Sequence, residues 1–236
     1  MKNILTQVGS LNSLMMGDYN AEISVKELLK CGNIGIGTYE GLDGEAIFFN
    51  SKAYNGRADG KTYLMDSSAK VPFATVCNFD ESQNKHNVSF KNIDELKTLL
   101  EKEISCKNFF YMIKMEGKFN VRIRSCFKQE KPYEPLYKVA KDQREYDFFE
   151  EGYVIGVYCP NYVSGMNLYG WHLHFLSKDL THGGHILKLE GKNITYKLTE
   201  LNEWNVILPH TDGFMNNDLT LDLSQKTKEV EGSSKK

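Results

Sequence analysis

The chain has 236 residues, 41% of them hydrophobic and 25% charged, with a formal net charge of −2. That makeup fits a folded protein with a real core and excludes a chain disordered as a whole, while the near-zero charge and lack of a basic stripe argue against nucleic acid as a partner. Five cysteines, widely spaced and never in a CxxC pair, argue against a disulfide framework or a thiolate zinc site and point to reduced thiols in the cytoplasm.

Along the chain, the N-terminal residues lack the apolar core of a signal peptide, and no stretch reaches the length of a membrane span, so no membrane partner is expected. Ser24 and Glu27 form a capping-box pattern that opens a short helix through Leu29. Strands are predicted at Asn33–Tyr39, Glu45–Phe49, Thr62–Met65 and Phe73–Asn78, with Asp43-Gly44 as a turn. Asn92 caps a second helix that carries Ile93, Leu96, Leu99, Leu100 and Ile104 on one face. Further strands are predicted at Phe109–Met115 and Lys118–Ser125, separated by a Glu116-Gly117 turn. Pro135 then opens a third helix with Leu136, Val139 and Ala140 at helical spacing. The remaining strands are Tyr153–Tyr158, Gly170–Leu176, Gly184–Leu189, Ile194–Leu198 and Asn205–Leu208, with a second turn at Glu190-Gly191. The polar segment Gln225–Lys236 reads as a frayed tail.

These elements predict a strand-rich α+β fold: a mixed N-terminal sheet with packing helices, and a mainly antiparallel C-terminal sheet. The charged stretch 129–147 is the expected connection, with an N-terminal domain over 1–128 and a C-terminal, metal-binding domain over 148–236.

The C-terminal sheet carries the strongest chemical signal. His172 and His174, two apart on a strand, project to one face, while Trp171, Leu173 and Phe175 project to the other. Pairing Gly170–Leu176 with Gly184–Leu189 as a hairpin sets His185 beside His174, so three imidazoles converge as in a metal site with an open fourth position. His182 competes as third ligand but falls in the loop. A cupin-type site is disfavoured, because Lys178 and Asp179 stand where a glutamate ligand belongs. Glu45, at the head of a strand after a Gly turn, is placed to hold a carboxyl group at a cavity rim, although position alone favours an exposed edge residue. Arg122 and Arg124 share one face of a strand and read as solvated. Glu231 reads as solubilising charge.

The motifs GIGT (Gly35–Thr38), LDGE (Leu42–Glu45), QEKPY (Gln129–Tyr133) and GWHLHF with GGH (Gly170–Phe175, Gly183–His185) resemble, in that order, those of the α-acetolactate decarboxylase family. The resemblance extends over nearly the whole chain, with Ser125 and Phe127 in place of the family's usual threonine and proline. It implies decarboxylation of 2-acetolactate, a small-molecule substrate, to acetoin with a zinc ion on His172, His174 and His185. It also implies catalytic roles for Glu45 and Arg124, a substrate pocket that includes Thr38, and a tail glutamate folded back to the metal at Glu231, with Glu229 as its rival. A homodimer is left open. Two other functions share the same ligands: a zinc hydrolase in which Glu45 activates water, and a non-catalytic sensor whose site is closed by His182 or His210.

Overall fold

The structure, a computed structural model, describes residues 3–232. Its first sheet contains β1 (Ile4–Val8), β2 (Ile34–Thr38), β3 (Glu45–Phe49), β4 (Lys52–Gly56), β5 (Thr62–Leu64), β6 (Phe73–Cys77) and β12 (Glu203–Ile207). Their order is β12-β1-β6-β2-β3-β4-β5, and the sheet is mixed because β12 runs parallel to β1. The second sheet contains β7 (His86–Phe90), β8 (Phe110–Ser125), β9 (Arg144–Cys159), β10 (Gly170–Ser177) and β11 (Gly183–Leu201). It is antiparallel in the order β10-β9-β8-β11-β7, and β10 also pairs with β11, which closes a ring of four strands. The strand-rich α+β architecture, one mixed and one antiparallel sheet, is the one expected.

Three apolar layers result from strand alternation. Leu5, Ile36, Ile47 and Phe49 of the first sheet meet Met112, Ile155, Val157 and Leu176 of the second. The opposite face of the second sheet, including Trp171, Leu173 and Phe175, packs on Leu96, Leu100 and Ile104 at helix α3 (Ile93–Glu103) and its end. The outer face of the first sheet is covered by Val25 and Leu28 of α2 (Val25–Leu28), whose Ser24–Glu27 capping box forms as predicted. A fourth cluster lies over one end of the sheets. It joins α1 (Leu11–Met15) and α4 (Leu136–Val139) to α6 (Ser224–Gly232). Between α4 and α6 in sequence lies the short α5 (Asp212–Asn216). The segment 129–147 carries α4 and links β8 to β9, which are neighbours in the second sheet.

Three expectations are corrected. Neither Glu116-Gly117 nor Glu190-Gly191 turns the chain back; β8 continues through the first and β11 through the second, with a shift of register after Gly191. Both glycines instead make room for the buried Ile194, since a Cβ on either would lie 2.5 Å from its side chain. The expected tail is the helix α6 over its described residues, with Leu223 and Val230 buried against the fourth cluster. Among the described residues no helix is long and apolar enough to cross a membrane.

Candidate metal centre

The pairing of β10 with β11 sets His174 directly opposite His185, as the hairpin register predicts. His172 Nε2 lies 3.0 Å from His185 Nδ1 and 3.2 Å from His174 Nε2. One nitrogen from each ring falls within 4.8 Å of the other two. His174 is fully buried, and its Nδ1–H donates to the Ala46 carbonyl at 3.0 Å, which leaves the Nε2 lone pair facing the cluster. Burial, aided by the charge of Arg124, pulls the His172 pKa down to about 3, and burial holds His174 and His185 well below the usual range. All three rings are therefore neutral at neutral pH.

At these separations neutral imidazoles either share N–H···N hydrogen bonds or turn their lone pairs to a common cation. Tetrahedral zinc with Zn–N bonds of about 2.0–2.1 Å places its ligand nitrogens about 3.3 Å apart, close to the two short separations here. The residues present thus fit a divalent ion.

The first sheet supplies the other side of the site. Gly44, at φ 76°, makes the turn that starts β3, and Thr38 Oγ1 donates to the Gly44 carbonyl at 2.7 Å. Glu45, paired with Thr38 across β2–β3, brings its Oε2 to 3.4 Å from His174 Nε2. A close backbone approach makes this meeting of sheets feasible. Gly56, opposite Glu45 on β4, lies so near the Gly183 carbonyl that any side chain at Gly56 would collide with it. Ser125 Oγ ties the seam by donating to the Gly56 carbonyl at 2.6 Å.

Arg124 lies opposite His185 in the β8–β11 pairing and is 3% exposed, so the solvated face expected for it is corrected. Arg122 does stay at the surface, bound to Asp147 at 2.7 Å. The Arg124 guanidinium donates to Gln143 Oε1 at 2.9 Å and to the Val230 carbonyl of α6. Glu231 follows on that helix, with Oε2 3.3 Å from His185 Nε2 and 3.6 Å from Arg124. Burial pushes the Glu45 pKa up to about 8, with Arg124 opposing and Glu231 adding to the rise; burial also raises Glu231 against the pull of Arg124.

All seven residues nominated from sequence therefore meet in one region. Thr38, Glu45, Arg124, His172, His185 and Glu231 line a cavity of about 50 Å³, whose remaining wall is mainly apolar, and His174 is in contact with Glu45 and His172. The rival ligands lie elsewhere. His182 stacks on Phe148 and contacts Glu150 at 3.2 Å, His210 is exposed, and Glu229 interacts with Gln225. Cys126 lines the cavity, but burial pushes its thiol up to about 12, so it is inert as a nucleophile. Sequence reasoning missed Gln143, the Ala46 and Val230 carbonyls and the Gly56–Gly183 seam. None carries a local motif; each becomes visible only once the register is known.

Comparison with known proteins gives the family. The family model for α-acetolactate decarboxylase matches residues 5–221, a span that ends before Glu231. The α-acetolactate decarboxylase of Brevibacillus brevis is 36% identical over 236 residues, covering 99% of this chain and 83% of that protein. That of Methanosarcina mazei is 32% identical over 231 residues, covering 97% and 80%. The crystal structure of α-acetolactate decarboxylase from Bacillus subtilis superposes with a TM-score of 0.93 at 29% identity, covering 98% of this chain and 100% of that one. A family match over most of the length, relatives above 30% identity and a common fold together establish that this chain belongs to the α-acetolactate decarboxylase family.

Proposed function

We propose that the protein is a zinc-dependent carboxy-lyase that converts 2-acetolactate to acetoin and carbon dioxide, with the ion held by His172, His174 and His185. The observation that carries this reading is the meeting of three neutral imidazoles, a buried guanidinium and two carboxyl groups at one small cavity. Zinc, when bound, supplies a Lewis-acidic centre that polarises the substrate ketone and offsets the negative charge left on carbon as carbon dioxide departs.

The protein's own groups do the rest. Three uncharged ligands leave the positive charge of the site undiluted. Arg124, fixed by Gln143 and Val230, holds the substrate carboxylate and then opposes the charge of the enediolate that remains. Glu45, from β3 of the first sheet, and Glu231, from α6, flank the ligands and titrate as a coupled pair; between them they hold the proton that the former carboxyl-bearing carbon receives. A bound cation draws both pKa values down, which counters the effect of burial. Thr38 fixes the turn that presents Glu45 and contributes to the substrate wall. The apolar remainder, with Leu14, Leu42 and Phe73, suits the methyl groups and keeps water from the carbanion-like carbon.

The test is direct. Purified protein mixed with racemic acetolactate should form acetoin, lose that activity after chelation and regain it with zinc. Ester hydrolysis without acetoin would favour the hydrolase alternative, and tight binding without chemistry would favour a sensor.

A further inference from the structure

Outside the metal centre lies a second, larger space of about 590 Å³. Its floor includes His172, His185 and Glu231, and one wall is α3, which presents Lys97. It shares Leu168, His172, His185 and Glu231 with the inner cavity of about 50 Å³. The two spaces meet at the ligands, so the groove offers a side from which a substrate reaches them.

The groove is lined by charge of both signs. Its other charged side chains are Asp94, Glu101, Lys228 and Glu231. Glu101 is taken by Lys107 at 2.6 Å, and Glu231 is engaged by Arg124 at 3.6 Å. Asp94 lines the groove together with Lys97 and Lys228, and Lys228 also interacts with Asp222. Lys97 is partly buried, and among the described residues it makes no ion pair. An ammonium group that makes no ion pair beside the ligands attracts an anionic guest. The field of Lys97 extends to His172, His185 and Glu231.

We propose that Lys97 is a positioning residue that captures the carboxylate of an anionic 2-hydroxy-3-keto acid in the groove and raises its concentration beside the metal centre. The proposal rests on the decarboxylase reading. It also accounts for direction: the substrate is an anion, whereas acetoin and carbon dioxide are uncharged, so the groove attracts the one and does not retain the others.

The test compares Lys97→Gln, Lys97→Arg and Lys102→Gln in the zinc-loaded protein; Lys102 is an exposed lysine of α3 outside the groove. At low ionic strength Lys97→Gln should lower kcat/KM for acetolactate about tenfold, leave kcat within about twofold and flatten the salt dependence. Lys97→Arg should restore most of the loss, and Lys102→Gln should match wild type. Inhibition by added acetoin should be equal in all four proteins. The proposal is overturned if Lys97→Gln behaves like Lys102→Gln, or if Lys97→Arg is no better than Lys97→Gln. A wild-type protein that forms no acetoin would instead sink the decarboxylase reading, and this proposal with it.

Discussion

His174 touches each of the functions assembled around it: its Nδ1 is held by the first sheet, its Nε2 faces the other imidazoles, and Glu45 lies 3.4 Å away. Ligand and carboxylate can therefore be separated by substitution. His174→Ala should abolish zinc retention and activity together, because two imidazoles hold the ion far less well than three. Glu45→Gln should keep the zinc and lose about 10²–10⁴-fold in kcat, the range associated with a positioned proton-transfer group. Metal content by atomic absorption, read beside acetoin formation, distinguishes the two; a zinc-free His174→Ala protein with full activity would refute the ligand set. The three histidines were legible in the sequence because a strand's period of two dictates which side chains share a face. The burial of Arg124 was not. Alternation placed it with Arg122, and the seating of α6 over the end of β8 buries Arg124 while Arg122 stays half-buried at the surface.

The β10–β11 connection shows how an element's loop stabilises the ligand hairpin. Asp179 accepts from Ser177 Oγ at 2.7 Å, from Thr181 Oγ1 at 2.7 Å and from the Thr181 backbone N–H at 3.1 Å. Those donors lower its pKa below the ordinary 3.8. A carboxylate whose folded pKa is depressed contributes stability above its unfolded pKa, and that contribution disappears as pH falls through the folded value. Asp179→Ala should therefore cost about 1 kcal/mol at neutral pH, and the gap from wild type in urea midpoint should narrow as the pH is lowered below 3.8. A gap that is constant with pH would remove the charge from the explanation. Helices and strands with strong local signals, such as the capped α2 and α3 or the apolar β3 and β6, were legible in the sequence. Strand length was not, because Gly117 and Gly191 look like turn residues until Ile194 is placed against them. The polar sequence of α6 likewise hides a helix whose apolar Val230, with Leu223 just before it, finds a partner surface only in the folded molecule.

Across the whole molecule, an ion held by the three histidines would act as a cross-link. Its ligands come from two strands of the second sheet, one of them is hydrogen-bonded to the first sheet, and α6 closes over both. An ion bound only by the folded form should add about 4 kcal/mol at a thousandfold excess over its Kd. Chelated protein should accordingly melt several degrees lower than zinc-loaded protein, and identical melting curves would argue that the histidines hold no ion. The same arrangement has a kinetic meaning. His174 and Ala46 are 128 positions apart, and Arg124 and Val230 are 106 apart, so the pocket's decisive contacts require the closure of long loops. During refolding from denaturant, circular dichroism should recover well before turnover does, and a chain caught midway would have native-looking sheets and no competence, its reactivity arriving only when distant parts of the polypeptide have found each other.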